Sequence, residues 1–195
     1  MPMNVDANAN GLADAVATKP VVVISRCLGF EPVRYDGEIY RDAWVEWLAP
    51  RVRFVDVCPE VGIGMGVPRP PIRIELRAGR RRLIQPSTGA DLTARMEAFA
   101  ASFLDRIGPV DGFILKSRSP SCGLIDTKLF DEGASEPRPE RGAGFFAAAV
   151  LVRFPHAAII DEARLAEPAA RDAFLERTFA AWRARTSVKA GRPNP

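Results

Sequence analysis

Apolar residues along this chain fall into short unbroken blocks, and the blocks run out into Ser, Cys, Pro or Gly. The first is Val21-Val22-Val23-Ile24-Ser25. It is β-branched and continuous, the pattern of a strand buried on both faces. Val52 to Val57, Gly112 to Leu115 and Ala157 to Ile160 predict three further strands, the first of them interrupted by Arg53 and Asp56. A second pattern repeats at helical spacing. Leu92, Met96, Phe99, Phe103 and Ile107 fall on one face, which predicts a helix over Asp91 to Ile107. Asp91 suits its N-cap, and Gly108-Pro109 stop it. Trp44, Trp47 and Leu48 predict a short helix over Arg41 to Ala49, ended by Pro50. Gly144 to Arg153 reads as a small-residue helix able to pack closely on a sheet. Phe174, Thr178, Phe179 and Trp182 share a face of a last helix, from near Pro168 to about Arg185.

A third pattern alternates. Ile72, Ile74 and Leu76 interleave with Arg73, Glu75 and Arg77, and the chain returns through Arg80 to Gln85 after Ala78-Gly79. That is a half-exposed β-hairpin. Its arginines read as a solvated face, with a nucleic-acid contact as the lesser reading. Asp131 to Arg141 is rich in Glu, Pro, Arg and Gly and reads as loop. Val61 to Gly66 has glycine at every second position. It lacks the dinucleotide fingerprint and the lysine of a phosphate loop, so it reads as backbone passing close to something bulky. Strand, helix and strand in succession imply a crossover and parallel pairing. The fold expected is a single α/β domain over residues 20–165, with a mostly parallel central sheet flanked by helices and an additional β-hairpin. A C-terminal helix follows over 166–187. Tails at 1–19 and 188–195 are expected to be disordered.

A length of 195 residues supports one sizeable core. No apolar run approaches the roughly 18 residues that a membrane span needs. Met1 to Lys19 has neither a charged n-region nor an apolar h-region. The expectation is a cytoplasmic protein with reduced cysteines and no membrane partner. The formal charge of +3, mostly arginine, argues only weakly for a nucleic-acid partner. His156 is the only histidine; it follows Pro155 at a strand start and reads as structural.

The cysteines carry the chemistry. Cys27 comes just past Val21–Ser25, and Cys58 directly follows Phe54-Val55-Asp56-Val57. Cys122 lies in Lys116-Ser117-Arg118-Ser119-Pro120-Ser121-Cys122-Gly123, the loop after Gly112 to Leu115. In open α/β sheets ligands gather at the carboxyl ends of the strands, so three thiols placed there can converge. They lie too far apart in sequence for a zinc knuckle, a redox pair or a ferredoxin run. Their odd number argues against a disulfide framework. The residues alone leave two readings open: thiols gathered at one point, or three isolated buried thiols.

Several segments bear on that choice. They are Ile24 to Gly29, Val33 to Gly37, Val57 to Gly62, Pro68 to Pro71, Thr88 to Thr93 and Ile114 to Gly123. Together they resemble a bacterial family long listed as a domain of unknown function, whose characterised member is 2-thiouracil desulfurase. The resemblance runs from about Val21 to Glu162. It implies a [4Fe-4S] cluster held by Cys27, Cys58 and Cys122, with one iron not coordinated by protein. It also implies catalytic roles for Glu60 and Ser121. Arg26 to Glu31 departs from the commoner Ala-Cys-Leu-Leu-Gly form. Val61 to Pro68 and Leu165 to Arg185 look more like a subgroup often fused to a second domain.

The residue types suit that chemistry. Thiolates are soft ligands for iron, and an iron without a protein ligand offers a soft site to a thiocarbonyl sulfur. The activity implied is an iron–sulfur-dependent desulfurase, a C=S hydrolase that removes sulfur as sulfide from a small thiolated nucleobase or related thioamide. Glu60 is expected as the general base on water. Ser121 is expected to donate to the substrate ring, and Asp36 is the next candidate base. Two alternatives stand beside this reading. One is a sulfurtransferase acting on a nucleobase or tRNA. The other is a non-enzymatic cluster or zinc protein.

Overall fold

The structure, a computed structural model, describes residues 18–190, with side chains through Ser187. The expectations for residues 1–17 and 191–195 lie outside the described residues.

Four parallel strands form the central sheet: β1 (Val21–Ser25), β2 (Arg53–Val57), β6 (Gly112–Leu115) and β9 (Ala158–Asp161). Their spatial order is β2-β1-β6-β9. β1 pairs in parallel with β2 on one side and β6 on the other, and β6 pairs in parallel with β9. The continuous apolar blocks have the predicted cause. Val22 and Ile24 face a core with Val45, Leu48, Leu165 and Phe174. Val23 faces the opposite core with Met96, Leu104, Phe146 and Val150. Both faces of β1 are thus closed by helices. On the first side stand α1 (Ala43–Leu48), α5 (Glu162–Leu165) and α6 (Pro168–Ala190). On the second stand α3 (Thr93–Arg106) and α4 (Phe145–Arg153). The chain leaves β1 toward β2 and leaves β6 toward β9. Strand order therefore reverses between β1 and β6, which opens a crevice at their carboxyl ends.

The second sheet is larger than the expected hairpin. β3 (Arg73–Arg77) and β4 (Arg80–Gln85) form that hairpin, and β5 (Ala90–Asp91), β7 (Thr127–Asp131) and β8 (Pro137–Gly142) extend it to the order β5-β4-β3-β7-β8. Most of the stretch expected as loop over Asp131 to Arg141 is therefore strand. β8 is an edge strand of Pro, Arg, Glu and Gly, largely open to solvent, so it has no apolar alternation to betray it. The arginines of the hairpin are not simply solvated. Arg73 and Arg77 both clasp the carboxylate of Glu75, which is 2% exposed.

Smaller departures have local causes. The N-cap place of α3 belongs to Leu92, while Asp91 ends β5 and accepts from the Thr93 amide at 2.9 Å. α1 is shorter than expected because Asp42 caps it, accepting from the amides of Trp44 and Val45. α6 continues to Ala190, past the expected boundary at 187. A short helix, α2 (Pro59–Gly62), follows β2 directly. Its Gly62 fits the expectation of close backbone approach, since a Cβ there would fall 2.2 Å from the Phe99 ring.

Candidate active site

The carboxyl ends of the four parallel strands present a sequence of polar groups across the sheet. β2 runs into Cys58 and Glu60, β1 into Cys27, β6 into Lys116 and Ser117, and β9 into Glu162. A single cavity of about 990 Å³ opens there, and Cys27, Cys58, Cys122, Glu60 and Lys116 all line it. The three thiols are therefore gathered on one cavity.

Cys122 reaches this place through a loop built without slack. Ser119 Oγ accepts from the amides of Ser121 and Cys122, at 3.2 and 3.1 Å. The Gly123 amide donates to Ser119 O at 2.8 Å. The loop packs on the start of α4, whose Phe145 and Ala147 amides donate to the carbonyls of Pro120 and Ser121. Two glycines make room for it. A Cβ on Gly123 would meet Thr127 Oγ1 at 2.3 Å, and one on Gly144 would meet the Ser121 carbonyl carbon at 2.4 Å.

The thiols are poor acids as they stand. Burial pushes Cys27 up to about 12, and the charge of Cys58 adds to the rise against the pull of Lys116 and Arg34. Burial also raises Cys58, while the backbone amides of Val61 and Glu60 pull it down. Cys122 lies well above its ordinary value. Burial is the main cause, a hydrogen bond with Ser25 offsets part of it, and Cys58 and Cys27 add to it. Cys27 thus senses Cys58, and Cys122 senses both other thiols. Burial is the leading cause that favours the protonated form at all three, and a cationic group among them reverses that balance.

The donor set limits what such a group can be. Among the described residues, no three of His, Cys, Asp and Glu are arranged to hold a metal ion. A tetrahedral zinc needs its ligands drawn tightly around one point. Cys27, Cys58 and Cys122 are soft sulfur donors on one cavity, a donor type suited to iron–sulfur chemistry.

Two buried glutamates flank the thiols. Glu60 follows Cys58 in α2 and is 9% exposed. Arg69 Nε donates to its Oε2 at 2.8 Å, and Arg69 Nη2 lies 2.8 Å from the same oxygen. Ser121 Oγ donates to Oε1 at 3.0 Å. Arg69 also donates to the carbonyls of Val33 and Gly66, so the guanidinium is fixed from three sides. Ser121 is fully buried, and its hydroxyl is turned to Glu60. On the other flank, Glu162 Oε2 accepts from the Ser117 amide at 2.7 Å, and Oε1 accepts from Ser117 Oγ at 2.6 Å. Lys116 Nζ also donates to Oε1. Burial alone would raise Glu162, but Lys116 and Ser117 outweigh it and hold the carboxyl below its ordinary range.

Other predicted residues lie elsewhere. Asp36 sits in the turn before Gly37, accepts from Arg34 and the Glu38 amide, and does not line the cavity. His156 is exposed in the turn before β9 and offers its carbonyl to Arg177. Arg69, Lys116, Ser117 and Glu162 carry no role in the sequence reading. For Lys116 the signal was present: it directly follows the apolar block Gly112 to Leu115, a placement like that of Cys58, whereas Glu162 stands one residue further on, behind Asp161. Nothing in Pro68-Arg69-Pro70-Pro71 shows that this arginine is buried.

Three comparisons bear on the site. A family model described as 2-thiouracil desulfurase matches residues 22–162. The uncharacterised protein YbbK of Bacillus subtilis (strain 168) is 30% identical over 111 residues, 53% of this chain and 73% of that protein. The solved structure of the [4Fe-4S]-dependent thiouracil desulfidase TudS matches with a TM-score of 0.60 at 29% identity, over 80% of this chain and 99% of that one. The family model runs from the first parallel strand to the residue that follows the last, and the chain belongs to the 2-thiouracil desulfurase family.

Proposed function

We propose that this chain is an iron–sulfur-dependent desulfurase that converts a thiolated nucleobase or related thioamide to its oxo form and releases the sulfur as sulfide. The observation that carries the reading is that three strand-end thiols and the buried carboxylate of Glu60 line one cavity. Cys27, Cys58 and Cys122 would hold a [4Fe-4S] cluster. When bound, the cluster supplies a soft Lewis-acid iron with no protein ligand, suited to a thiocarbonyl sulfur.

The chain's own residues do the rest. The net change is C=S plus water to C=O plus hydrogen sulfide: a C–O bond forms, the C–S bond breaks, and no electron is gained or lost. Glu60 takes a proton from the attacking water. Arg69 and Ser121 fix both carboxylate oxygens, so the base meets water in one orientation. The Ser121 hydroxyl therefore acts through Glu60 and not directly on the ring. Lys116, Arg118 and Lys128 line the same cavity, which favours an anionic form of the substrate.

The test is anaerobic. Protein reconstituted with iron and sulfide is incubated with 2-thiouracil, and uracil and sulfide are measured. The reading predicts both in equal amounts with no added reductant. Transfer of sulfur to an acceptor without free sulfide would favour a sulfurtransferase instead.

A further inference from the structure

The Glu60 flank accounts for a base. The Lys116 flank has no chemical step in that account, and stability does not explain it. Lys116 and Glu162 form an ion pair whose side chains are only 16% and 4% exposed. Withdrawing two charges from water costs several kcal/mol per ion before any attraction is recovered, and apolar replacements of such pairs are often as stable. The pair is also lopsided in its placement. Lys116 lines the cavity, whereas Glu162 sits behind it. Glu162 has all its short hydrogen bonds within the network, to Lys116 and to the amide and hydroxyl of Ser117. The ammonium is less committed. Its contacts to Ser117 Oγ and Ser117 O are long, 3.2 and 3.4 Å, so a closer acceptor in the cavity can displace them.

Its position in the sheet is equally specific. Glu60 follows β2 and Lys116 follows β6, with β1 between them. Neighbouring strands lie about 4.8 Å apart, so the two groups spring from strands roughly 10 Å apart. A separation of that order exceeds the width of a planar six-membered ring. The Tyr40 ring, centred 5.3 Å from Lys116 Nζ, walls the same side of the cavity.

Resting on the desulfurase reading above, we propose that Lys116 is a second catalytic residue. It is the fixed cation that donates a hydrogen bond to a ring nitrogen and holds the negative charge that builds on that nitrogen as water adds across the adjacent C=N bond of the anionic, thiolate form of the substrate. Lys116 keeps its proton throughout; water's protons pass to Glu60 and to the departing sulfide. Glu162 and Ser117 are positioning residues that hold the ammonium in place. A charge stabilised mainly in the transition state acts on kcat more than on substrate binding.

The experiment uses cluster-loaded full-length protein and 2-thiouracil. Lys116→Ala is expected to keep its iron content and to bind 2-thiouracil within about threefold of wild type. Its kcat should fall by about 10²-fold, in line with loss of one charge-stabilising group. Added methylamine should restore at least about tenfold of that loss, since a small ammonium can enter the vacated space. If Lys116→Ala fails to fold around an unpaired Glu162, the double variant Lys116→Ala/Glu162→Gln removes both charges and carries the same expectations. Loss of iron would make Lys116 a cluster-holding residue and overturn the proposal. Turnover within twofold of wild type, or a loss that methylamine does not touch, would overturn it too. Wild-type protein that releases no sulfide sinks both the desulfurase reading and this one; an active wild type with an indifferent Lys116 sinks only the second.

Discussion

Glu60 and Glu162 are built from the same parts and face opposite ways. Each is a buried glutamate held by one cation and one serine hydroxyl, Arg69 and Ser121 in the first case and Lys116 and Ser117 in the second. At the first, the carboxylate itself reaches the cavity. At the second, the carboxylate is withdrawn and its lysine reaches the cavity instead. The sheet explains the difference. Glu60 lies in α2 after an edge strand, two residues beyond Cys58. Glu162 lies after the other edge strand, with β6 and its lysine between it and the cavity. One construction therefore presents a carboxylate or a cation according to which member sits nearer the crevice.

The sharpest break in that comparison comes from neutralising each glutamate in turn. Glu60→Gln removes the proposed base and keeps the shape of the side chain. Turnover should fall by about 10²–10⁴-fold with iron content unchanged, measured as sulfide release per cluster. Glu162→Gln leaves the base alone and should cost turnover only about tenfold, through a less firmly held Lys116. Equal losses at the two positions would show that the networks do not differ in role.

Stability should rank them the other way. Glu162→Gln strands a nearly buried ammonium, at a cost of about 3 kcal/mol in urea unfolding of cluster-free protein. Arg69 keeps the carbonyls of Val33 and Gly66 when Glu60 is neutral, so Glu60→Gln should cost less.

Acid provides a finer version of the same contrast. The Glu162 carboxyl is held below its ordinary range, by Lys116 and Ser117 against burial. A depressed folded-state value means the stabilisation is complete above the unfolded value, near 4.5, and is lost as pH falls through the folded one. Wild-type, cluster-free protein should lose stability below about pH 4.5 more steeply than Glu162→Gln. Parallel slopes in urea titrations at several acid pH values would contradict the assignment.

The smallest effect is expected at Ser121. Its hydroxyl orients Glu60 and does not line the cavity, so Ser121→Ala should cost about tenfold in kcat with KM nearly unchanged. A large rise in KM would instead place that hydroxyl on the substrate.

How much of this was legible in the sequence depended on burial on two faces. β1 is read without error because Val21 to Ser25 is closed by a core on each side, and such a strand must be continuously apolar. The cysteines stand out because thiols are scarce and each follows such a block. Lys116 occupies the same kind of position, and Glu162 stands one residue further on, behind Asp161. A lysine or glutamate after a strand is ordinary surface chemistry in most proteins, so placement did not distinguish them. β8 was illegible for the opposite reason: an edge strand held by backbone pairing needs no side-chain pattern. The burial of Arg69 depends on Glu60, Val33 and Gly66 meeting around it, a tertiary fact that local composition does not encode.

The central claim is that the three strand-end thiols jointly hold one cluster beside a base. It is tested most directly by iron and acid-labile sulfide analysis of anaerobically reconstituted wild type beside Cys27→Ala, Cys58→Ala, Cys122→Ala and Glu60→Gln. The account predicts about four irons and four sulfides per chain in wild type and in Glu60→Gln, and a marked loss in each cysteine variant. Full cluster content in any one of the three cysteine variants would contradict it.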